Sequence, residues 1–305
     1  MDQQVQWPKK VREMQRFCID STYWNDFKFR DDDIIIATWA KSGTTWLQQI
    51  IANLIFNGET EGMPVGDMSP WLDFRLPPLE AKLPEVEAQT HRRFLKTHLP
   101  LDAFPYQKQV KHIYIGRDGR DCCWSMYNHH LHLNDVLYDG LKSLPQPWDP
   151  VIEPPHTADL REYYLDWFYK DGFPFWPFWE NVRTWWTARN LPNMYFLHYQ
   201  NLKDDMEGQM RKIADFLEIP IDESKWEKIV YHCTFDYMKE NATLSTPLGG
   251  AIFDGGAAVF VNRGENGRWQ DVLTDEDKKQ YEARAIYELG EECAHWLATG
   301  EFSKK

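Results

Sequence analysis

The chain of 305 residues is poor in several things. No run approaches the roughly 18 apolar residues of a membrane-spanning helix. Positive charge is outweighed: 34 Lys and Arg face 47 Asp and Glu, for a net charge of −13. An acidic chain is a poor partner for nucleic-acid phosphates or anionic lipid, so an anionic ligand must be held by a local basic site. Cysteine is scarce as well. Cys18, Cys122, Cys123, Cys233 and Cys293 are odd in number and form no C-x-x-C. That argues against a disulfide framework or a zinc site and for a reducing compartment. The opening MDQQVQWPKK has no apolar core of a signal peptide. We expect a soluble, cytoplasmic protein with neither nucleic acid nor membrane as partner. Repeats, low-complexity tracts and clear linkers are missing too. The Pro-rich SLPQPWDPVIEPPH (143–156) is followed at once by a densely aromatic stretch, so it reads as a surface loop. The expectation is one domain, 1–305.

Hydrophobic residues make up 43% of the chain, enough for a substantial core. Four short apolar or β-branched runs read as buried strands: IIIAT (34–38), RFLKT (93–97), HIYIG (112–116) and MYFLHY (194–199). Helical patterns lie between them. TTWLQQIIANLIF sets Trp46, Leu47, Ile50, Ile51, Leu54 and Ile55 on one face. DCCWSMYNHHL and MRKIADFLEI read similarly. This alternation predicts an α/β fold, a central and mostly parallel sheet with helices on both faces. In such sheets ligands sit beyond the carboxyl ends of the strands. Lys41, Ser42, Thr44 and Thr45 follow the first run. Lys96 and His98 end the second, Arg117 follows the third with Ser125 further on, and Tyr199 ends the fourth. Basic groups and hydroxyls converge on one rim, which points to an anion-transfer site.

The loop WAKSGTTW (39–46) is the centre of that rim. A helix N-terminus offers unpaired amides and partial positive charge, Gly43 allows a close turn, and Lys41 adds full charge. The order differs from the phosphate loop G-x-x-x-x-G-K-[ST]. Phosphoryl transfer also normally needs magnesium held by an Asp at another strand's end. The other runs end in Lys-Thr-His, Gly-Arg-Asp and His-Tyr, and Asp118, between two arginines, reads as a helix cap. A metal-free site built on lysines suits a less charged group such as sulfuryl.

These segments resemble the cytosolic sulfotransferase family, which moves a sulfuryl group from 3′-phosphoadenosine-5′-phosphosulfate (PAPS) to a hydroxyl or amine. The family's Y-P-K-S-G-T-T-W corresponds to WAKSGTTW, and its K-T-H-L-P to KTHLP (96–100). Its Arg followed eight residues later by Ser corresponds to Arg117 and Ser125, and its G-x-x-G-x-W to GENGRW (264–269). The likeness runs from about Phe27 to Thr274, with four motifs in the family's order. It implies a phosphate-loop-like sulfotransferase fold. It also implies that Lys41, Ser42, Gly43, Thr44 and Thr45 cradle the 5′-phosphosulfate. Trp46 would stack on adenine beside Tyr199, with Thr234 and Phe235 on the base's other side. Arg117, Ser125, Asn262, Arg263 and Gly264 would surround the 3′-phosphate. His98 would be the general base, with Lys41 and Lys96 stabilising charge at the transferring group. No metal is implied; the co-substrate is PAPS and the product is 3′-phosphoadenosine-5′-phosphate (PAP).

The chain also departs from the family. Trp39-Ala40 replaces Tyr-Pro, Asn262 stands where an arginine is expected, and Cys233 stands where a threonine would. The family's C-terminal dimer motif is not visible, so no oligomer is predicted. The resemblance implies that Phe27, Trp71 and Phe74 wall the site of a small, largely apolar acceptor carrying a hydroxyl, while His129 reads as either pocket rim or solvated helix end. The belt from Tyr163 to Trp186 reads mainly as core with some members at the acceptor, Cys122-Cys123 as core, and Asp31–Asp33 as a solvated turn. The Gly-rich 245–267 reads as a lid that orders over nucleotide, so its proteolysis should slow when nucleotide is added. Equal cleavage with and without nucleotide would exclude that. An ATP-dependent phosphotransferase and a non-catalytic nucleotide-binding protein are the rival readings. The acceptor itself is not named by the sequence.

Overall fold

The computed structural model describes residues 5–145 and 151–303; residues 1–4 of the polar opening and 146–150 of the Pro-rich stretch lie outside it. Four parallel strands form the sheet: β1 (Ile34–Ala37), β2 (Phe94–Thr97), β3 (Lys111–Gly116) and β4 (Met194–His198), in the order β2-β1-β3-β4. All four expected runs are strands, each within a residue of the expected ends. Tyr199 is not the end of β4 but the first residue of the helix Tyr199–Asp204. The order reverses direction at β1, so the crevice between β1 and β3 is the switch point where an open parallel sheet binds ligand.

Alternation along the strands divides the core in two. Ile35, Ala37, Leu95 and Tyr114 turn to one face, where Trp39, Trp167, Trp179, Trp185 and Trp296 pack. Ile34, Ile36, Phe94, Ile113, Ile115 and Leu197 turn to the other, which is mostly aliphatic. The helix Thr44–Ile55 covers that second face. Leu47, Ile50, Ile51 and Leu54 are buried as its spacing predicts, while Trp46 and Ile55 are half-buried. Its polar side is buried too, which the amphipathic pattern does not suggest. Gln48 donates to the Ser69 carbonyl (2.9 Å) and Gln49 to that of His232 (3.0 Å), so neither amide is left unpaired.

The helix Gly119–Leu131 starts two residues before the expected one, capped by Asp118, which accepts from the Arg120 amide at 2.8 Å. The helix Met206–Leu217 likewise starts early, capped by Asp205. The solvated-turn reading of 31–33 is corrected at its last residue. Asp31 and Asp32 are exposed, but Asp33 is fully buried and takes a two-pronged bond from Arg93 at 2.8 and 2.6 Å. The cause is strand register. Ile34 pairs with Phe94, so the residues just before β1 and β2 must meet. The aromatic belt is core at Tyr163, Trp167, Phe178, Trp179 and Trp185, whereas Phe175 and Trp176 reach the cavity described next. Cys122 and Cys123 are buried, and all five cysteines are free.

Candidate active site

A cavity of about 1060 Å³ opens at the carboxyl ends of the strands. One end is built from main chain. Between β1 and the helix Thr44–Ile55, Lys41 sits at φ 67° and Gly43 at φ 109°. A lysine in the left-handed region carries backbone strain of about 1–3 kcal/mol, a feature concentrated at ligand sites. Gly43 is required twice over: by its φ, and because a Cβ there would stand 2.8 Å from the Tyr199 ring. Gly43 caps the helix without a side-chain bond, so the first-turn amides remain open, and the buried Thr44 hydroxyl has no partner. These are donors without an acceptor, arranged as an anion site requires.

Charge gathers around this loop. Burial, then the nearby Arg117 and Lys96, push the Lys41 pKa down to about 7. Its ammonium lies 4.2 Å from the centre of the Phe260 ring. Arg117 bridges two segments. It donates to the Lys41 carbonyl (3.0 Å), the Glu265 carbonyl (3.0 Å) and the Asn266 side chain (2.8 Å), and stacks on Tyr199 at 4.2 Å. The Gly-rich 245–267 is tied down by the Asp254 amide on the His132 carbonyl (2.7 Å) and by Lys203 on that of Gly264 (2.8 Å). Ser125, Asn262, Arg263 and Gly264 line the cavity, as do Thr45 and Phe235. Trp46 is steadied by donating to the Cys233 carbonyl at 2.8 Å. The thiol of Cys233 is buried, so this position acts through its main chain and the exchange of Thr for Cys leaves that bond intact.

The other end is built from side chains. His98 donates Nδ1–H to the Thr38 carbonyl at 2.8 Å. A carbonyl only accepts, so Nδ1 carries the proton and Nε2 keeps a free lone pair. The ring stacks on Trp176 (5.4 Å) and meets Trp71 edge-on (4.7 Å). Burial, then Lys96, push its pKa down to about 3, with Lys41 adding to the effect. Lys96 is itself buried, its pKa lowered by burial to about 8. Trp71 stacks on Phe74 at 4.5 Å. Pro70 and Trp71 run along β2, where the Lys96 amide bonds to the Pro70 carbonyl. That contact brings a distant segment beside His98.

Asp73 and Lys82 fix this wall, and neither was anticipated. The fully buried Asp73 accepts from Trp24 and Trp71, each at 2.9 Å. Lys82 donates to the carbonyls of Trp71 (3.2 Å), Leu72 (2.8 Å) and Phe74. Besides the Thr44 hydroxyl, four polar atoms of cavity-lining residues lack partners: Gln89 Oε1, His129 Nδ1, the Tyr138 hydroxyl and Trp176 Nε1. The helix Gly119–Leu131 brings His129 against Phe253 at 5.0 Å and Phe260 at 5.9 Å.

The cavity therefore unites Lys41, Gly43, Thr44, Thr45, Trp46, Trp71, Phe74, Lys96, His98, Arg117, Ser125, His129, Tyr199, Phe235, Asn262, Arg263 and Gly264. Three expected residues are not on its surface. Phe27 packs inside the core against Trp24 (5.3 Å) and Phe29 (4.9 Å). The Thr234 hydroxyl is occupied as a cap, accepting from the Tyr237 amide and donating to the Tyr231 carbonyl. The Ser42 hydroxyl turns inward, 3.3 Å from the Cys122 sulfur. Trp124, Lys203 and Arg268 line the cavity unforeseen. Arg268 lay within a quoted motif, and its charge was the available signal.

Among the described residues no helix is long and apolar enough to cross a membrane, and no cluster of three or more His, Cys, Asp or Glu could hold a metal ion. A family model described as "Sulfotransferase domain" matches residues 31–291. A glycolipid sulfotransferase of Mycobacterium tuberculosis is 30% identical, with 86% of each chain covered. Sulfotransferase 1B1 of Mus musculus is 30% identical over 85% of this chain and 83% of its own. Among solved structures, a mouse sulfotransferase complexed with PAP superposes with a TM-score of 0.68 at 23% identity, covering 90% of this chain and 91% of its own. A retinol dehydratase in complex with androsterone and PAP gives 0.68 at 23% identity, covering 88% and 86%. At that identity these two structures speak for the fold.

Proposed function

The chain belongs to the sulfotransferase family, and from that premise we propose that it transfers a sulfuryl group from PAPS to a hydroxyl of a small, largely apolar acceptor. The reading rests chiefly on one observation: Nδ1 of His98 is committed to the Thr38 carbonyl, leaving Nε2 as a lone pair in a cavity that also holds the half-buried Lys41 and the buried Lys96. The residues present suit PAPS. The partnerless Thr44 hydroxyl, the open amides and Lys41 match one anionic group; Arg117 and Arg263 match a second; and Trp46 and Phe235 offer faces for a base. Bound PAPS would supply the sulfuryl group and leave as PAP.

His98 takes the acceptor's hydroxyl proton at Nε2. A base with a pKa near 3 is weak, and its weakness has a cause: burial beside cations. Burial is the larger cause, and an anionic ligand offsets the smaller one, the charges of Lys96 and Lys41, so the imidazole gains basicity when the nucleotide end is filled. Lys41 and Lys96 then stand where negative charge develops. The apolar walls admit an aromatic or alicyclic acceptor, and the name of the mycobacterial relative, a glycolipid sulfotransferase, fits an apolar molecule bearing hydroxyls. The partnerless Tyr138 and Trp176 suit one further oxygen on that acceptor. Five buried free cysteines suit a cytoplasmic setting.

The test is to incubate the purified, metal-free protein with PAPS and a panel of phenols, sterols and hydroxylated lipids, and to measure PAP release and product mass. Acceptor-dependent PAP release that disappears in His98→Ala supports the reading. Turnover only with ATP and magnesium would replace it with phosphoryl transfer. Nucleotide binding without turnover of any acceptor class would favour the non-catalytic reading.

A further inference from the structure

Three guanidinium groups turn into the nucleotide end, and they are not equivalent. That of Arg117 is occupied by the protein itself, on Lys41, Glu265 and Asn266. Arg263 and Arg268 both line the cavity, and among the described residues neither donates a hydrogen bond nor forms an ion pair. Arg263 is exposed at the rim. Arg268 lies deeper, with its guanidinium 5.1 Å from the centre of the Trp124 ring, which itself lines the cavity. Burial lowers the pKa of Arg268, and the charges of Arg263 and Arg117 lower it further, opposed by Glu265. Three cations within reach of one another, two of them without partners, repel until an anion joins them. The position that resemblance assigns to a cation, 262, is a neutral asparagine.

We propose that Arg268 is a direct phosphate ligand, forming with Arg263 the site for a phosphate monoester on the nucleotide's ribose and supplying the cation that Asn262 does not. This rests on the nucleotide reading above and adds a residue to it. The chemistry favours arginine at this place. A guanidinium presents parallel N–H donors that match two phosphate oxygens, and stacking on an indole holds its plane before ligand arrives. The backbone explains the reach. Gly264 at φ 65° and Gly267 at φ 80° bracket the turn, and the Gly267 amide is pinned to Asp121 at 2.7 Å, one residue before Arg268. Asp121 belongs to the helix Gly119–Leu131, which also carries Trp124 and Ser125. One helix thus holds the anchor of the turn, the platform for Arg268 and a hydroxyl facing the same cavity.

The experiment measures affinity of the full chain for PAP and for adenosine 5′-phosphate, which lacks the ribose phosphate. The readout is the ratio of the two affinities. Wild type prefers PAP. Arg268→Ala shrinks that preference about 10- to 100-fold, the range of a hydrogen-bonded charge contact. Arg268→Lys keeps part of it, having charge without the fork. Adding Asn262→Arg to Arg268→Ala restores the preference, which a merely misfolded turn could not do. An unchanged ratio in Arg268→Ala, or equal weakening of both nucleotides, overturns the proposal and leaves the nucleotide reading standing. A wild-type chain that binds neither nucleotide overturns both.

Discussion

The two ends of the cavity are made differently. The nucleotide end is main chain and fixed charge: the loop at 41–45, a helix start, Arg117 and the turn at 264–267, each contiguous in sequence and each just beyond a strand or on a Gly-bearing turn. The acceptor end is side chains drawn from far apart, with Trp71, Trp176 and Tyr138 meeting only through tertiary packing. A phosphate asks for amides and cations at fixed spacing, which a short segment can supply. An apolar molecule asks for shape, which only the packed fold supplies. The difference teaches that recognition of charge is written locally here and recognition of shape is distributed.

Perturbing each end separately tests that division. The largest effect is expected where the ends meet. His98→Ala should lower kcat by about 10²- to 10⁴-fold, the usual contribution of a general base, while calorimetry finds PAP affinity nearly intact. Loss of PAP affinity on the same scale would mean the two ends are not separable. Next come the paired tryptophans. Trp46→Ala should weaken PAP by about 1–3 kcal/mol, the range for base stacking, with little change in acceptor preference. Trp71→Ala should do the reverse, raising acceptor KM and sparing PAP. Exchanged phenotypes would break the comparison outright. Asp73→Ala leaves the buried Trp24 indole N–H and the half-buried one of Trp71 unpaired and should cost about 1–3 kcal/mol, read as a lower urea midpoint with an acceptor KM that rises more than the PAP constant. The smallest effect is a proton. Burial, then the like charges of Arg117 and Lys96, push the pKa of Lys41 down to about 7. An anion beside it raises that pKa, so PAP should bind with net uptake of up to about one proton near pH 7.5. Titrations in buffers of different ionisation heat measure this directly, and net release would contradict it.

How much of this was legible depended on locality. The strands, the rim and the loop could be read because β-branched runs, a glycine and a lysine act through their own neighbourhood. The burial of Asp33 could not, because it follows from the register that sets Ile34 beside Phe94. Ser42 stands in a segment that lines the site, yet its side chain points into the core, as that of Phe27 does, and side-chain direction on irregular backbone is set by packing. Asp73 and Lys82 carry no signal at all until Trp71 is placed. The lysine's left-handed φ is equally invisible, since nothing about lysine favours it. Trp71 and Phe74 were reached through resemblance rather than through any pattern of their own.

Arg117 joins the Lys41 carbonyl to Glu265 and Asn266, so the segment proposed to hold one phosphate and the turn proposed to hold the other share a single fastening. The distance between the two anion grips is thereby set by the protein before any ligand arrives. A molecule carrying phosphates at both places meets the second grip at the high effective concentration of an intramolecular encounter, and one carrying a single phosphate does not. On the proposed nucleotide reading, the site would act as a chelator does towards a two-toothed ligand, and the nucleotide would leave only when both teeth let go together.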